Sequence, residues 1–220
     1  MRPVALGRSL PPLTGRDHAS DMGSFDRATI AKTVPLIILL AGLAASKGRI
    51  ELRGQGREFV SDRYGFSMAV PPGWGASVEL DTPVFFYAPN SEKFVQAEIP
   101  KGGAVLTTEC HDTTSGLARS ATTPEAWARV DMRISASGVS PIESFQFPPE
   151  SGVSHAVISS YNKPAFSPDQ RVQHSVAIFW QFREKLFAAH LDYNASDRNG
   201  PALQRAFLRT VRSFRPLDRR

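Results

Sequence analysis

Apolar and polar positions along the chain repeat with two periods, and the stretches in which each period holds divide it into strands and helices. In Tyr64 to Val70, large and small residues alternate, which puts Phe66, Met68 and Val70 on one strand face and Gly65, Ser67 and Ala69 on the other. Pro71-Pro72-Gly73-Trp74 stops this strand in a rigid turn. Residues 83–88, 94–99 and 104–108 predict three more strands, separated by Pro89-Asn90 and by Pro100 to Gly103. Thr123-Pro124-Glu125 supplies a helix N-cap, a proline at the first helical position and an acid in the first turn. Trp127, Val130 and Ile134 then recur at helical spacing to about Ser137, where Gly138 closes the helix. Strand character returns at 142–147, 153–161, 171–182 and 185–193.

The last two strands test each other. If Arg183-Glu184 is a two-residue turn, Trp180 lies opposite Phe187, Ile178 opposite Ala189, Val176 opposite Leu191 and His174 opposite Tyr193. One face is then uniformly apolar in both strands, a match that a one-residue slip would destroy. In the terminal helix Leu203, Phe207, Val211 and Phe214 form one stripe and Arg205, Arg209 and Arg212 the opposite one, with Pro201 near its start and Pro216 just past its end. The pattern predicts an α+β domain: a mainly antiparallel sheet with one helix inserted midway and one at the end.

The N-terminal quarter behaves differently. Residues 1–21 show no periodicity and read as an unstructured extension or as sequence upstream of a true start at Met22. Within 22–46, Arg27 and Lys32 precede a 12-residue, almost unbroken apolar run from Val34 to Ala45 that ends among small residues, the three-part layout of a secretory signal peptide. The run is short of the roughly 20 residues a spanning helix needs, so no permanent transmembrane anchor is expected. Charged, glycine-bearing residues 47–57 read as a tether, and 58–220 as the folded domain.

Composition narrows the chemistry. The 220 residues are 41% apolar and 21% charged, which permits one well-packed domain, and 17 prolines favour strands and loops over a helical bundle. The whole chain carries a formal net charge of +5, but residues after Ser46 hold 21 Lys/Arg against 18 Asp/Glu. No basic run interleaved with aromatics appears, so nucleic acid is not an expected partner. The single cysteine, Cys110, excludes an internal disulfide and cysteine-based zinc or iron–sulfur centres.

Candidate sites are sparse. In Cys110-His111-Asp112 the thiol and imidazole point to opposite strand faces, which suits a free thiol better than a nucleophile–base pair. His155, His174 and His190 lie on successive strands, but the hairpin register sends His174 and His190 to opposite faces, so satisfied or exposed imidazoles are expected rather than a metal site. No G-x-S-x-G elbow occurs, and Gly54-Gln55-Gly56 lacks the third glycine, following helix and lysine of a nucleotide loop. Arg205, Arg209 and Arg212 are either a solvated helix face or a docking surface for an acidic partner, and Trp74 is either a core plug or an exposed anchor. No catalytic residue, metal or cofactor is expected.

The opening Asp62-Arg63-Tyr64-Gly65-Phe66-Ser67-Met68-Ala69-Val70-Pro71-Pro72-Gly73-Trp74 resembles the strand and "P-x-G-W" start of the PsbP/Mog1-like superfamily. The hairpin from Val176 to Tyr193, followed by a helix ending Thr210-Val211-Arg212-Ser213-Phe214, resembles its close. The resemblance spans about Asp62 to Arg215 and implies a three-layer α/β/α sandwich around an antiparallel sheet. It also implies an accessory or binding module without catalytic machinery. With the signal layout, the expectation is an exported, periplasmic or secreted, non-enzymatic module that binds a protein or the envelope surface. The alternative is a small exported hydrolase whose site assembles from residues distant in sequence.

Overall fold

A computed structural model describes residues 48–53, 56–77, 82–89, 99–112, 121–135, 137–163 and 172–217. The expected signal peptide, the N-terminal extension and strand positions 94–98 lie outside the described residues. The hairpin organises the rest. Strands β9 (Gln173–Phe182) and β10 (Lys185–Asn194) pair with Trp180 opposite Phe187, Ile178 opposite Ala189, Val176 opposite Leu191 and Tyr193 opposite His174, the register the apolar pattern demands. Arg183 takes the left-handed turn position at φ 56°, with its guanidinium 4.8 Å from the Phe182 ring centroid.

Around the hairpin an antiparallel seven-stranded sheet runs β4 (Gly75–Ser77), β5 (Val84–Tyr87), β6 (Ala104–Asp112), β10, β9, β8 (His155–Lys163), β7 (Glu143–Ser144). Helix α1 (Pro124–Ser135) lies against β8 and β9 on one face, where Ala128, Ala177 and Ala188 let it approach Val157, Tyr161 and Phe179. Helix α2 (Gly200–Arg212) lies against β10 on the other face. Its start comes so close to the sheet that a Cβ on Gly200 would sit 2.7 Å from the Tyr193 ring.

A second, four-stranded antiparallel sheet shares the α2 side, in the order β1 (Arg49–Arg53), β2 (Gly56–Ser61), β3 (Phe66–Ala69), β11 (Arg215–Pro216). Two expectations change here. Within the expected tether, Arg49 to Arg53 form a strand: they pair with β2, Ile50 packs against the core, and Arg49 is bonded to Glu51 at 2.6 Å and to Asp62. Its charges belong to an edge strand, where polar side chains face water on the unpaired side. The fold is α+β and mainly antiparallel as expected, but a small sheet joins α2 in covering one face of the large one.

The main core lies between these layers. Phe214, just past α2, meets Phe66 of β3 (centroids 5.1 Å), Phe182 and Trp180 of β9 (5.2 and 5.5 Å), Phe187 of β10 (5.5 Å) and Phe147 (6.2 Å). The residues beside it are pinned too: Ser213 Oγ accepts the Ala69 N–H at 2.8 Å, and Arg215 pairs with Ser67. Replacing Phe214 with Ala is expected to cost about 3–5 kcal/mol of stability. Leu52→Ala, at a side chain 84% exposed, is expected to cost under about 0.5 kcal/mol. Urea unfolding of the two variants checks the contrast.

Candidate functional site

Among the described residues, two places gather chemistry-bearing side chains: the sheet face under α1, and the outward face of α2. Under α1 the helix begins with Thr123 Oγ1 accepting the Ala126 N–H at 3.2 Å, a cap that fixes which residues turn inward. Glu125 then meets His155 Nε2 of β8. Two residues on, Trp127 packs edge-on against the His111 ring of β6 at 4.9 Å and 71°. Asp131 Oδ2 accepts the Tyr161 hydroxyl of β8 at 2.6 Å and lies 3.9 Å from His190 Nδ1 of β10.

The surroundings set the charges. Burial first, then the neighbouring Asp131 carboxylate, pushes the Tyr161 phenol far above its ordinary value. Glu109 of β6 is held below the usual carboxylate range by its hydrogen bond from His111, against burial and with help from His190. Lys163 Nζ donates to Asp192 Oδ2 at 2.7 Å, whereas Asp192 Oδ1 and Ser159 Oγ are buried without a hydrogen-bond partner among the described residues. An imidazole, an acid and a phenol thus come together from β10, α1 and β8, with Ser159 of β8 on the same sheet face. His190 is 6% exposed, Ser159 3% and Tyr161 1%, so the group joins a helix to a sheet rather than opening to a substrate.

The other sequence candidates separate. His174 lies on the opposite sheet face, its Nδ1 2.9 Å from Asn162 Oδ1, and burial lowers its pKa. Cys110 packs beside the main core, on the other strand face from His111. Among the described residues no three His, Cys, Asp or Glu side chains are grouped to hold a metal.

On α2 the amphipathic stripe behaves as its spacing predicts. Leu203, Phe207 and Val211 are buried, and Arg205, Arg209 and Arg212 are exposed. Arg212 has its guanidinium 5.1 Å from the Phe145 ring centroid, while Arg205 and Arg209 meet no carboxylate among the described residues. At the helix start Asn199 Nδ2 donates to the Gly102 carbonyl and Asp197 Oδ2 accepts the Gly102 N–H, both at 2.7 Å. They close one side of a shallow cleft of about 670 Å³ that Pro89, Lys101 and Arg198 also line. Trp74 belongs to neither place. It is 4% exposed and stacked on Tyr87 at 5.6 Å, so it is a core plug and not an anchor for a partner: the turn it ends folds back onto the sheet, and its carbonyl accepts from Arg57.

No family model matches the chain, and no curated protein matches its sequence. Solved structures similar to it include a Bacteroides thetaiotaomicron crystal structure, over 74% of this chain at 11% identity and TM-score 0.45, and the chain spans about half (49%) of that protein's length. A Pseudomonas aeruginosa protein of unknown function aligns with 74% of this chain and 95% of its own at 12% identity and TM-score 0.38. A cyanobacterial PsbP from Synechocystis aligns with 76% of this chain and 97% of its own at 12% identity and TM-score 0.40.

The raised phenol makes a prediction with a definite sign. A group whose pKa is higher folded than unfolded stabilises the fold fully below its unfolded value, near 10 for tyrosine, and loses that contribution as pH rises beyond it. Tyr161 is therefore expected to stay protonated up to alkaline unfolding, and Tyr161→Phe to flatten the fall in stability above about pH 10. Phenolate absorbance and urea midpoints across that range check both.

Proposed function

We propose that this chain is an exported, non-catalytic accessory module of the cell envelope, PsbP/Mog1-like with its sheet sandwiched between helical layers, that docks an acidic macromolecular surface on Arg205, Arg209 and Arg212. The observation that carries the reading is the state of α2: one face is locked into the core, and on the other Arg205 and Arg209 meet no carboxylate among the described residues. Three guanidiniums at i, i+4 and i+7 lie within about 10 Å along a helix, close enough to engage one cluster of carboxylates or phosphates. Export rests on the basic lead, apolar run and small-residue exit of residues 22–46. Among the described residues no helix is long and apolar enough to cross a membrane.

A second reading, a small hydrolase, draws on the nearness of His190 to Asp131. Burial of the Tyr161 hydroxyl beside them weighs against it. An ester and peptide substrate panel separates the two: turnover lost in His190→Gln favours the hydrolase.

Affinity recovery of the tagged full-length protein from its native envelope fraction tests the leading reading. A stoichiometric acidic partner is expected, together with a mature N-terminus near Lys47. Recovery is expected to fall at least about tenfold in R205E/R209E/R212E and to weaken with added salt, with stability changed by under about 0.5 kcal/mol per substitution. Undiminished recovery by the triple variant rejects the arginine face as the docking surface.

A further inference from the structure

The positive charge of α2 continues past the start of the helix. From Arg198 to Leu217 the sequence has arginine at 198, 205, 209, 212 and 215 and no acid. Arg215 is balanced by Glu150 at 3.6 Å. Arg198 precedes Arg205 by seven residues, the spacing that separates Arg205 from Arg212, and with Lys101 it lines the cleft of about 670 Å³ where α2 begins. Both residues are exposed, and neither meets a carboxylate among the described residues. The acid of the cleft, Asp197, has Oδ2 engaged by the Gly102 N–H at 2.7 Å, and Asn199 Nδ2 donates to the Gly102 carbonyl at the same distance. Two cations against one carboxylate, already engaged by the backbone, leave the lining with an excess of positive charge.

The surroundings of the stripe decide between a bilayer and a polypeptide. A few basic side chains alone attach a protein only marginally to an anionic bilayer, and firm attachment takes a second signal such as apolar insertion. α2 turns Leu203, Phe207 and Val211 inward, and the exposed large apolar side chains among the described residues, Leu52, Phe86, Val139 and Val172, belong to other segments. A recess also adds nothing to contact with a flat surface. A polypeptide uses both features. Arg205 and Arg209 are about 6 Å apart along the helix axis, close to the repeat of about 6.6 Å at which side chains recur on one side of an extended chain. From the cleft to Arg212 is about 20 Å, the reach of about six extended residues. Guanidiniums bond carboxylates through paired N–H groups, which suits acids presented singly at such a spacing.

We infer that the acidic partner of α2 is an extended polypeptide segment with acids at alternate residues, which lies along Arg205, Arg209 and Arg212 and places a further carboxylate in the cleft at Lys101 and Arg198. The inference rests on the arginine face being the docking surface, and adds to it the partner's chemistry and a second point of contact. The stripe supplies charge, and the cleft fixes where along the segment the chain is held.

Fluorescence anisotropy of the full-length protein with two labelled peptides of equal charge tests this: Asp-Ser-Asp-Ser-Asp-Ser-Asp and its isomer Asp-Asp-Asp-Asp-Ser-Ser-Ser. At low salt the alternating peptide is expected to bind at least about threefold more tightly than the isomer. K101S/R198S, at two exposed positions, is expected to lower its affinity by about fivefold and to remove the preference, while R205E/R209E/R212E abolishes binding of both peptides. Equal affinity for the isomers, no binding of either, or an unchanged affinity in K101S/R198S overturns the inference. In each of these cases the arginine face itself still stands if recovery of an envelope partner falls in the triple variant. Cosedimentation with vesicles of equimolar phosphatidylglycerol and phosphatidylcholine, lost in the triple variant and tighter than binding of the alternating peptide, assigns the face to a bilayer and likewise overturns it. Peptide binding unchanged in the triple variant rejects the arginine face and the inference together.

Discussion

Phe214 is the constraint on which the rest of the structure depends. It is one residue beyond the α2 C-cap, and its ring touches aromatic side chains from β3, β9, β10 and the segment after β7. Stacked Trp180 and Phe187, 5.3 Å apart and 11° from parallel, form the wall it packs against. Aromatic rings bury large areas and favour the offset and edge-on arrangements found here, so a cluster of this size fixes orientation as well as distance. Because Ser213 and Arg215 are bonded to β3, the helix, the small sheet and the large sheet are tied within three consecutive residues.

That tie determines what α2 presents outward. With Leu203, Phe207 and Val211 facing the sheet, helical geometry leaves Arg205, Arg209 and Arg212 together on the outside. Mounted on a packed helix, the basic stripe is ordered by the core itself rather than by any contact it makes. α1 is the opposite case. Its contacts with the sheet are more polar: Ala128 is buried, Trp127 and Met132 only partly so, and Glu125 and Asp131 meet His155 and Tyr161.

Sequence patterns were informative where two independent requirements coincided. The β9–β10 register could be read because a two-residue turn and an apolar match on both strands had to agree, and the α2 stripes because a single period sorted every large residue. β1 was hidden by its composition: Arg49-Ile50-Glu51-Leu52-Arg53 has charged residues at three of five positions, and its strand character comes from pairing with β2, a non-local interaction. The polar group under α1 was hidden by distance along the chain, since Asp131 and Tyr161 are thirty residues apart and His190 still farther. A trace was present in Asp131, an acid four residues after Trp127 on the inward side of an amphipathic helix, where a carboxylate needs a partner. The destination of Trp74 was open because a turn can be folded back or exposed, and only its contact with Tyr87 decides.

The central structural claim is that one aromatic cluster makes both sheets and α2 a single cooperative unit carrying the arginine face. Differential scanning calorimetry of the full-length protein tests it most directly. The account predicts one transition with equal van't Hoff and calorimetric enthalpies. Two resolved transitions, or a van't Hoff enthalpy well below the calorimetric one, would show that the small sheet melts on its own and would contradict it.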